Sequence, residues 1–154
     1  MNNMNAHINL RNASKTDLPG LGILKLNSTM AWGKYKDELR ELPEARCVPE
    51  VHLNHVIIAE LAGRLVGFTT IIPGKHTTVA ELEDLFVLPS QWRRGIGKHL
   101  LRAAEVRALG LGATSVHVVA NEYAQLFYES AGYVLVGTAH TDFGLAPELR
   151  KNFD

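Results

Sequence analysis

The chain has 154 residues, with 16 Lys+Arg balanced by 16 Asp+Glu and with 46% hydrophobic against 21% charged side chains. That length suits one domain with a real core, and the composition excludes a disordered or fibrous chain. A formal net charge of zero excludes the one-sided basic field that nucleic acid or an anionic membrane surface requires, so neither is expected as a partner. Cys47 is the single cysteine, which rules out an internal disulfide and a thiolate cluster for zinc or iron–sulfur. Apolar runs such as Val56–Ala59 fall far short of the roughly 18 residues that span a bilayer. Met1 to Ile8 is polar rather than signal-like. The expectation is one domain over residues 1–154 in the cytoplasm.

Taken in chain order, Ile8-Asn9-Leu10-Arg11 alternates like a short strand, and Ser14 to Asp17 offers capping side chains before a helix from Leu18 to Met30. Gly20 and Gly22 weaken that helix. Tyr35 to Leu42 reads as a second short helix stopped by Pro43, and Ala45 to Asn54 as loop. Val56 to Leu61 and Leu65 to Ile72 flank the turn Ala62-Gly63-Arg64, predicting two antiparallel strands. A third extended segment runs from Thr77 to Leu88 and is ended by Pro89. Gly95 then opens a helix in which Ile96, Leu100, Leu101, Ala104 and Leu109 recur at helical spacing, until Gly110 and Gly112 stop it. Ser115 to Ala120 follows as a buried strand, so strand, helix and strand form a crossover that is locally parallel. Tyr123 to Ser130 is a short helix with Gly132 as its C-cap, leading to Tyr133–Val136 as a last strand. This is an α+β pattern, a mostly antiparallel sheet with one parallel junction.

The stretch from Val87 through Pro89-Ser90-Gln91-Trp92-Arg93-Arg94-Gly95-Ile96-Gly97-Lys98 joins a strand to a helix through a tight glycine loop. A helix N-terminus leaves its first amides unpaired and carries about half a positive charge, so it attracts anions. Arg93, Arg94 and Lys98 add cationic side chains. The plainer alternative is that Gly95 and Gly97 only make a sharp turn. Two phosphate templates fail on spacing. The Walker pattern needs glycine where Trp92 stands and Ser or Thr at His99, while the dinucleotide fingerprint needs glycine or alanine at Leu100.

The same stretch resembles the cofactor loop of the GNAT family of acyl-CoA-dependent N-acyltransferases, Gln/Arg-x-x-Gly-x-Gly/Ala after a strand ending Val-x-Pro. Trp92 stands in the Gln/Arg position, with Gln91 one residue earlier. Asn121-Glu122-Tyr123-Ala124-Gln125-Leu126-Phe127-Tyr128-Glu129-Ser130-Ala131-Gly132-Tyr133 is similar to the family's second motif, Asn-x-x-Ala-x-x-x-Tyr-x-x-x-Gly-Phe/Tyr. The opening Ile8-x-Leu10-Arg11-x-Ala13-x-x-x-Asp17 and the Gly63-x-Leu65-Val66-Gly67 hairpin are also similar to family strands, so the resemblance covers nearly the whole chain. It implies a GNAT-like three-layer fold, a mostly antiparallel central sheet with one splayed parallel strand pair and flanking helices.

Carried over residue by residue, the resemblance implies acetyl-CoA as cosubstrate. Leu85, Phe86 and Val87 form the strand end beside the pantetheine arm, with backbone groups of Leu85 and Val87 pairing to it. Arg93, Arg94, Gly95, Ile96, Gly97 and Lys98 cradle the pyrophosphate. Asn121 touches the cofactor arm, and Tyr128 is the general acid near the thioester sulfur. An alkylammonium with pKa near 10.4 is neutral at pH 7 only about once in 10³ to 10⁴ molecules, so some group must take its proton. Glu81 and Glu83 lie on one face of the strand entering Leu85 and Val87, and both stand as candidate bases. For each, a solvated strand face is the plainer alternative, as core packing beside Phe127 and Tyr133 is for Tyr128. The amide of Val87 is the expected donor to the developing oxyanion.

Other features carry less. His52-x-x-His55 lacks the glutamate of a zinc helix, so no metal is expected. Cys47 has only Arg46 as a basic neighbour. His117 reads as a hydrogen-bonded core histidine or as a residue facing substrate. Trp32 and Tyr35 line an acceptor pocket or pack a helix pair. Glu81, Glu83 and Asp84 together would form a local acidic pocket. The expected acceptor is a small-molecule or peptide amine, the alternative being a noncatalytic acyl-CoA-binding or sensing module or a plain structural domain. A late hydrophobic strand offers the edge of a homodimer.

Overall fold

The computed structural model describes residues 7–31, 42–76, 78–142 and 144–153. Its strands are β1 (Ile8–Asn12), β2 (Val56–Leu61), β3 (Arg64–Pro73), β4 (Val79–Val87), β5 (Ser115–Val119), β6 (Val134–Thr141) and β7 (Gly144–Asn152), hydrogen-bonded in the order β1-β2-β3-β4-β5-β7-β6. The helices are α1 (Leu18–Met30), α2 (Ile96–Gly110) and α3 (Gln125–Ser130). Pairs β1/β2, β2/β3, β5/β7 and β6/β7 are antiparallel and β4/β5 is parallel, which is the mixed α+β sheet the sequence predicts. The chain divides into two compact units, Met1–Thr70 with Asp84–Ala103, and Ile71–Glu83 with Ala104–Asp154.

In the first unit the period of two in β2 sorts its side chains onto two faces. Val56 and Ile58 pack with Leu21 and Leu24 of α1 and with Phe68, whereas Ile57 and Ala59 pack with Val66 and with Ile96 and Leu100 of α2. This unit is therefore helix on sheet on helix. Helix α1 has the predicted bounds and passes through both glycines. At Gly22 a Cβ would stand 2.4 Å from the carbonyl oxygen of Arg46, so the missing side chain is what lets the Pro43–Arg46 turn lie against the helix. The Ala45 to Asn54 stretch is not plain loop, since it carries 3₁₀ turns at Pro43–Arg46 and Glu50–His55. The β2–β3 connection is a tighter hairpin than predicted, with Ala62 (φ 53°) and Gly63 (φ 76°) alone at the turn.

The second unit buries Ala80 and Leu82 of β4, Val116 and Val118 of β5, Leu149 of β7 and Ala104 and Ala108 of α2. Leu109, expected on the buried face of α2, is 53% exposed, and the face runs instead through Ile96, Leu100, Ala104 and Ala108. Tyr133 is buried with its hydroxyl donating to Glu105 Oε2 at 2.8 Å, and Lys151 Nζ donates to Glu105 Oε1 at 3.3 Å. Burial, reinforced by the Glu105 charge, pushes the Tyr133 phenol far above its ordinary range. The last strand is not Tyr133–Val136. Strand β6 extends to Thr141, and β7 returns between β5 and β6. Pro147, Glu148, Arg150 and Lys151 break the apolar alternation that would have announced β7. The helix expected over Tyr35 to Leu42 lies outside the described residues, Leu42 excepted, as do Trp32 and Tyr35.

Strand β1 is tied to the turn before α1 by Arg11, which donates to Asp17 at 2.8 and 2.9 Å and approaches Glu60 at 3.2 Å. Asp17 Oδ2 also accepts from the Ser14 amide at 2.7 Å. The Arg11 hydrogen bonds, against the opposing effect of burial, hold the Asp17 carboxyl well below the usual carboxylate range. A carboxyl depressed by folding stabilises above its unfolded pKa and loses that stabilisation as pH falls. Wild-type stability should therefore drop between about pH 5 and pH 2 by about 1 kcal/mol more than that of Asp17→Asn, a figure already reduced for the solvent screening of Arg11. Urea denaturation across that range checks it; parallel pH curves for the two proteins would contradict it.

Candidate active site

Strands β4 and β5 stay in register from Val79 opposite Ser115 to Leu82 opposite Val118. Strand β5 ends at Val119, while β4 continues to Val87. The alternation expected on β4 is present, with Ala80, Leu82 and Asp84 buried, Glu81 half-buried and Glu83 exposed. Asp84 does not join an acidic pocket. It is 5% exposed and paired with Lys25 Nζ at 3.1 Å, and Lys25 also reaches the Cys47 carbonyl at 3.3 Å and lies over the Phe86 ring. Phe86, half-buried, packs its ring against Phe68, 5.7 Å between centroids. Leu85 and Val87 pack against the cluster of Ile57, Ala59, Val66, Ile96 and Leu100.

After β4 the chain makes a 3₁₀ turn at Pro89–Gln91 and enters α2 through two left-handed residues, Arg93 at φ 65° and Gly95 at φ 82°. Left-handed backbone is costly for a residue with a Cβ, and strain of this kind collects at ligand sites. The amide of His99 closes onto the Gly95 carbonyl at 3.1 Å, so the amides of Ile96, Gly97 and Lys98 belong to the unpaired first turn. Arg93, Arg94 and Lys98 are exposed. Amides, helix dipole and three cations in one short segment are chemically matched to a polyanion such as a pyrophosphate.

Trp92, in the position where the family pattern carries Gln or Arg, turns its indole inward. Its Nε1–H donates to the Val87 carbonyl at 2.7 Å, and Ser28 Oγ of α1 donates to the same oxygen at 3.1 Å. Both lone pairs of that carbonyl are thereby engaged. Gln91, half-buried with its Oε1 buried, is not turned toward the cationic surface of the loop.

In the second unit, Glu81 Oε2 lies 2.8 Å from His117 Nδ1, and Glu148 Oε1 lies 3.2 Å from His117 Nε2. Glu83, two positions along β4, is exposed. Asn121 is exposed and caps the turn Glu122–Ala124, its Oδ1 accepting from the Tyr123 amide at 2.7 Å, which leaves its side-chain N–H₂ as the group it can offer. Tyr128 is 6% exposed, edge-on to Phe127 at 5.1 Å and to Tyr133 at 5.6 Å. Among the described residues, no group of three His, Cys, Asp or Glu side chains is arranged to hold a metal, and no helix is long and apolar enough to cross a membrane.

Sequence reasoning missed Ser28 and Glu148. Ser28 is 59 positions from Val87 and sits in the last turn of α1 with nothing local to mark it. Glu148 lies on the strand whose pattern was broken, although a carboxylate beside an unexplained histidine was a signal that pairing could have used. The doubly held carbonyl yields a cycle. Trp92→Phe and Ser28→Ala should each cost about 1 kcal/mol, because each leaves Val87 one donor, and the double variant should exceed their sum by about 1 kcal/mol because it leaves none. Urea unfolding of the four proteins measures this, and strict additivity would contradict it.

Residues 23–133 match the model of the acetyltransferase (GNAT) family. The chain is 30% identical over 138 residues to the peptidyl-lysine N-acetyltransferase YiaC of Escherichia coli, covering 86% of this chain and 88% of that protein. In structure it is similar to the PaiA N-acetyltransferase of Thermoplasma acidophilum in complex with coenzyme A, with a TM-score of 0.79 at 22% identity over 96% of this chain and 99% of that one. It is also similar to the N-acetylglutamate synthase of Neisseria gonorrhoeae complexed with coenzyme A and N-acetyl-glutamate, with a TM-score of 0.71 at 18% identity, covering 97% of this chain but 36% of the synthase. With the glycine loop, the second motif and the parallel strand pair already in place, the family match settles the assignment: the chain belongs to the GNAT family and is an acyl-CoA-dependent N-acetyltransferase.

Proposed function

We propose that residues 1–154 act as a single acetyltransferase domain that moves an acetyl group from acetyl-CoA to a primary amine by direct attack in a ternary complex. The observation that carries this reading is the one continuous segment in which β4 outruns β5 and turns through left-handed Arg93 and Gly95 into the first turn of α2. On this reading the amides and cations from Arg93 to Lys98 bind the pyrophosphate, and the backbone of Leu85 and Val87 lies along the pantetheine arm. Because the Val87 carbonyl already accepts from Trp92 and Ser28, its N–H is the group assigned to the ligand, where it also serves the oxyanion.

Glu81 is the base, with Glu83 the other carboxylate on the same strand face, because the half-buried Glu81 carboxylate lies 2.8 Å from His117 Nδ1 and a fixed acceptor lowers the cost of orienting the proton transfer. Tyr128 is the acid that protonates the departing thiolate, and Asn121 holds the cofactor arm through its amide N–H₂. The acceptor is a peptide or small-molecule amine, with peptidyl lysine first in line given the name of the Escherichia coli relative. Nucleic acid and membrane are not partners on this reading, the location is the cytoplasm, and the exposed Val134, Leu135 and Val136 of β6, at 64%, 47% and 57%, supply a homodimer edge.

Acetyl-CoA and CoA, but not NAD, should raise the melting temperature by several degrees, since a ligand at 100 times its Kd stabilises by about 2.7 kcal/mol. No rise at millimolar acetyl-CoA would overturn the reading. In a panel of lysine peptides and small amines, Tyr128→Phe should lower kcat by about 10²-fold with acetyl-CoA binding nearly unchanged; an unaltered kcat would remove Tyr128 from the chemistry. Binding without turnover on every amine would instead favour an acyl-CoA-sensing module.

A further inference from the structure

The Glu81–His117–Glu148 cluster is more than the pairing of a base with one neighbour. Three strands that are adjacent in the sheet, β4, β5 and β7, each contribute one member. His117 is the least exposed, at 16% of its side chain against 32% for Glu81 and 30% for Glu148. Each ring nitrogen faces its own carboxylate oxygen, at 2.8 and 3.2 Å. An imidazole so placed cannot rotate about its Cβ–Cγ bond without breaking both contacts. The register also places Arg150 opposite His117 in the β5/β7 pair. Val119 stands opposite Glu148, which places Glu148 one diagonal step from His117, within reach of a long side chain.

We infer that His117 and Glu148 are positioning residues for the Glu81 carboxylate: Glu148 orients the imidazole through Nε2, and the imidazole through Nδ1 fixes Glu81 Oε2, leaving Oε1 as the oxygen that meets the amine proton. The logic is that of a base held in turn by a third group. It rests on the reading of Glu81 as the base and extends it to two residues outside the family motifs. The brace is satisfied when Nδ1–H donates to Glu81 and Nε2 shares a hydrogen with Glu148, which leaves the Glu81 carboxylate free to accept the amine proton. Without the brace, a half-exposed glutamate on a strand samples several rotamers, and the reactive geometry becomes a minority.

The test uses the full chain, acetyl-CoA and the best acceptor of the amine panel, with Glu81→Gln, His117→Ala, Glu148→Leu and Glu148→Gln beside wild type. His117→Ala and Glu148→Leu should each lower kcat by roughly tenfold or more while KM for acetyl-CoA stays within about twofold. Glu148→Gln keeps an oxygen to accept from Nε2 and should retain kcat within about threefold of wild type. A structural role alone would not separate Gln from Leu at equal melting temperature, and equal kcat in those two variants would overturn the brace. In the free protein, the ring N–H resonances of His117 should be protected from solvent exchange and should lose protection in Glu148→Leu; unprotected resonances in wild type would overturn it without any enzyme assay. If Glu81→Gln abolishes turnover while His117→Ala has wild-type kcat, the brace falls and the base stands. If Glu81→Gln is fully active, or wild type transfers acetyl to no amine, both fall together.

Discussion

Nine residues of β4 need neighbours for their backbone groups, and β5 accompanies the strand only from Val79 to Leu82. Everything distinctive about this chain follows from how the other five residues are handled. Strand β3 flanks β4 on its other side, but buried backbone N–H and C=O groups are rarely left without partners, so the groups that face the β5 side beyond Leu82 call for side chains, a ligand, or both. The Val87 carbonyl is answered by Trp92 and Ser28, and the side chains of Leu85 and Val87 by the apolar cluster that includes Ile96 and Leu100 of α2. Beyond these contacts the chain presents extended backbone, followed within a few residues by the cationic N-terminus of a helix. An extended molecule with amide groups at one end and a pyrophosphate at the other matches that sequence of surfaces.

The same strand changes character along its length, and the charges follow. At its end in the first unit, a carboxylate points into the core. Asp84 is buried and is tolerable there because Lys25 meets it at 3.1 Å and spans to the Cys47 carbonyl, as a buried charge requires a partner. At its start in the second unit, Glu81 is a third exposed and is held by a histidine. Two carboxylates three residues apart therefore sit in opposite settings, Asp84 closed inside the fold against Lys25 and Glu81 a third exposed against His117. The alternation of a strand separates them, since adjacent parities face opposite sides.

The sequence was legible where local physics decides. Helical spacing and a capping turn gave α1 its bounds, the hairpin signal gave β2 and β3, and the glycine loop with the second motif carried the family. It was illegible where partners are distant. Nothing local marks Ser28 as the second donor to Val87, or Glu148 as the partner of His117. Strand β7, with a proline near its centre and three charged residues after it, forms because its Leu149 is buried and β5 and β6 flank it, not because its own pattern demands it. Leu109 satisfied a helical period and still faces solvent, because Ala108 occupies the buried stripe one residue earlier.

The central claim is that the coenzyme is held by backbone amides at the end of β4 and in the first turn of α2. Amide chemical-shift mapping of the ¹⁵N-labelled protein titrated with CoA addresses it residue by residue. The account predicts saturable shifts of the amides of Leu85, Val87, Gly95, Ile96, Gly97 and Lys98, with small changes in β1 and around the Arg11–Asp17 pair. Saturable binding that leaves the amides from Gly95 to Lys98 unmoved would contradict it.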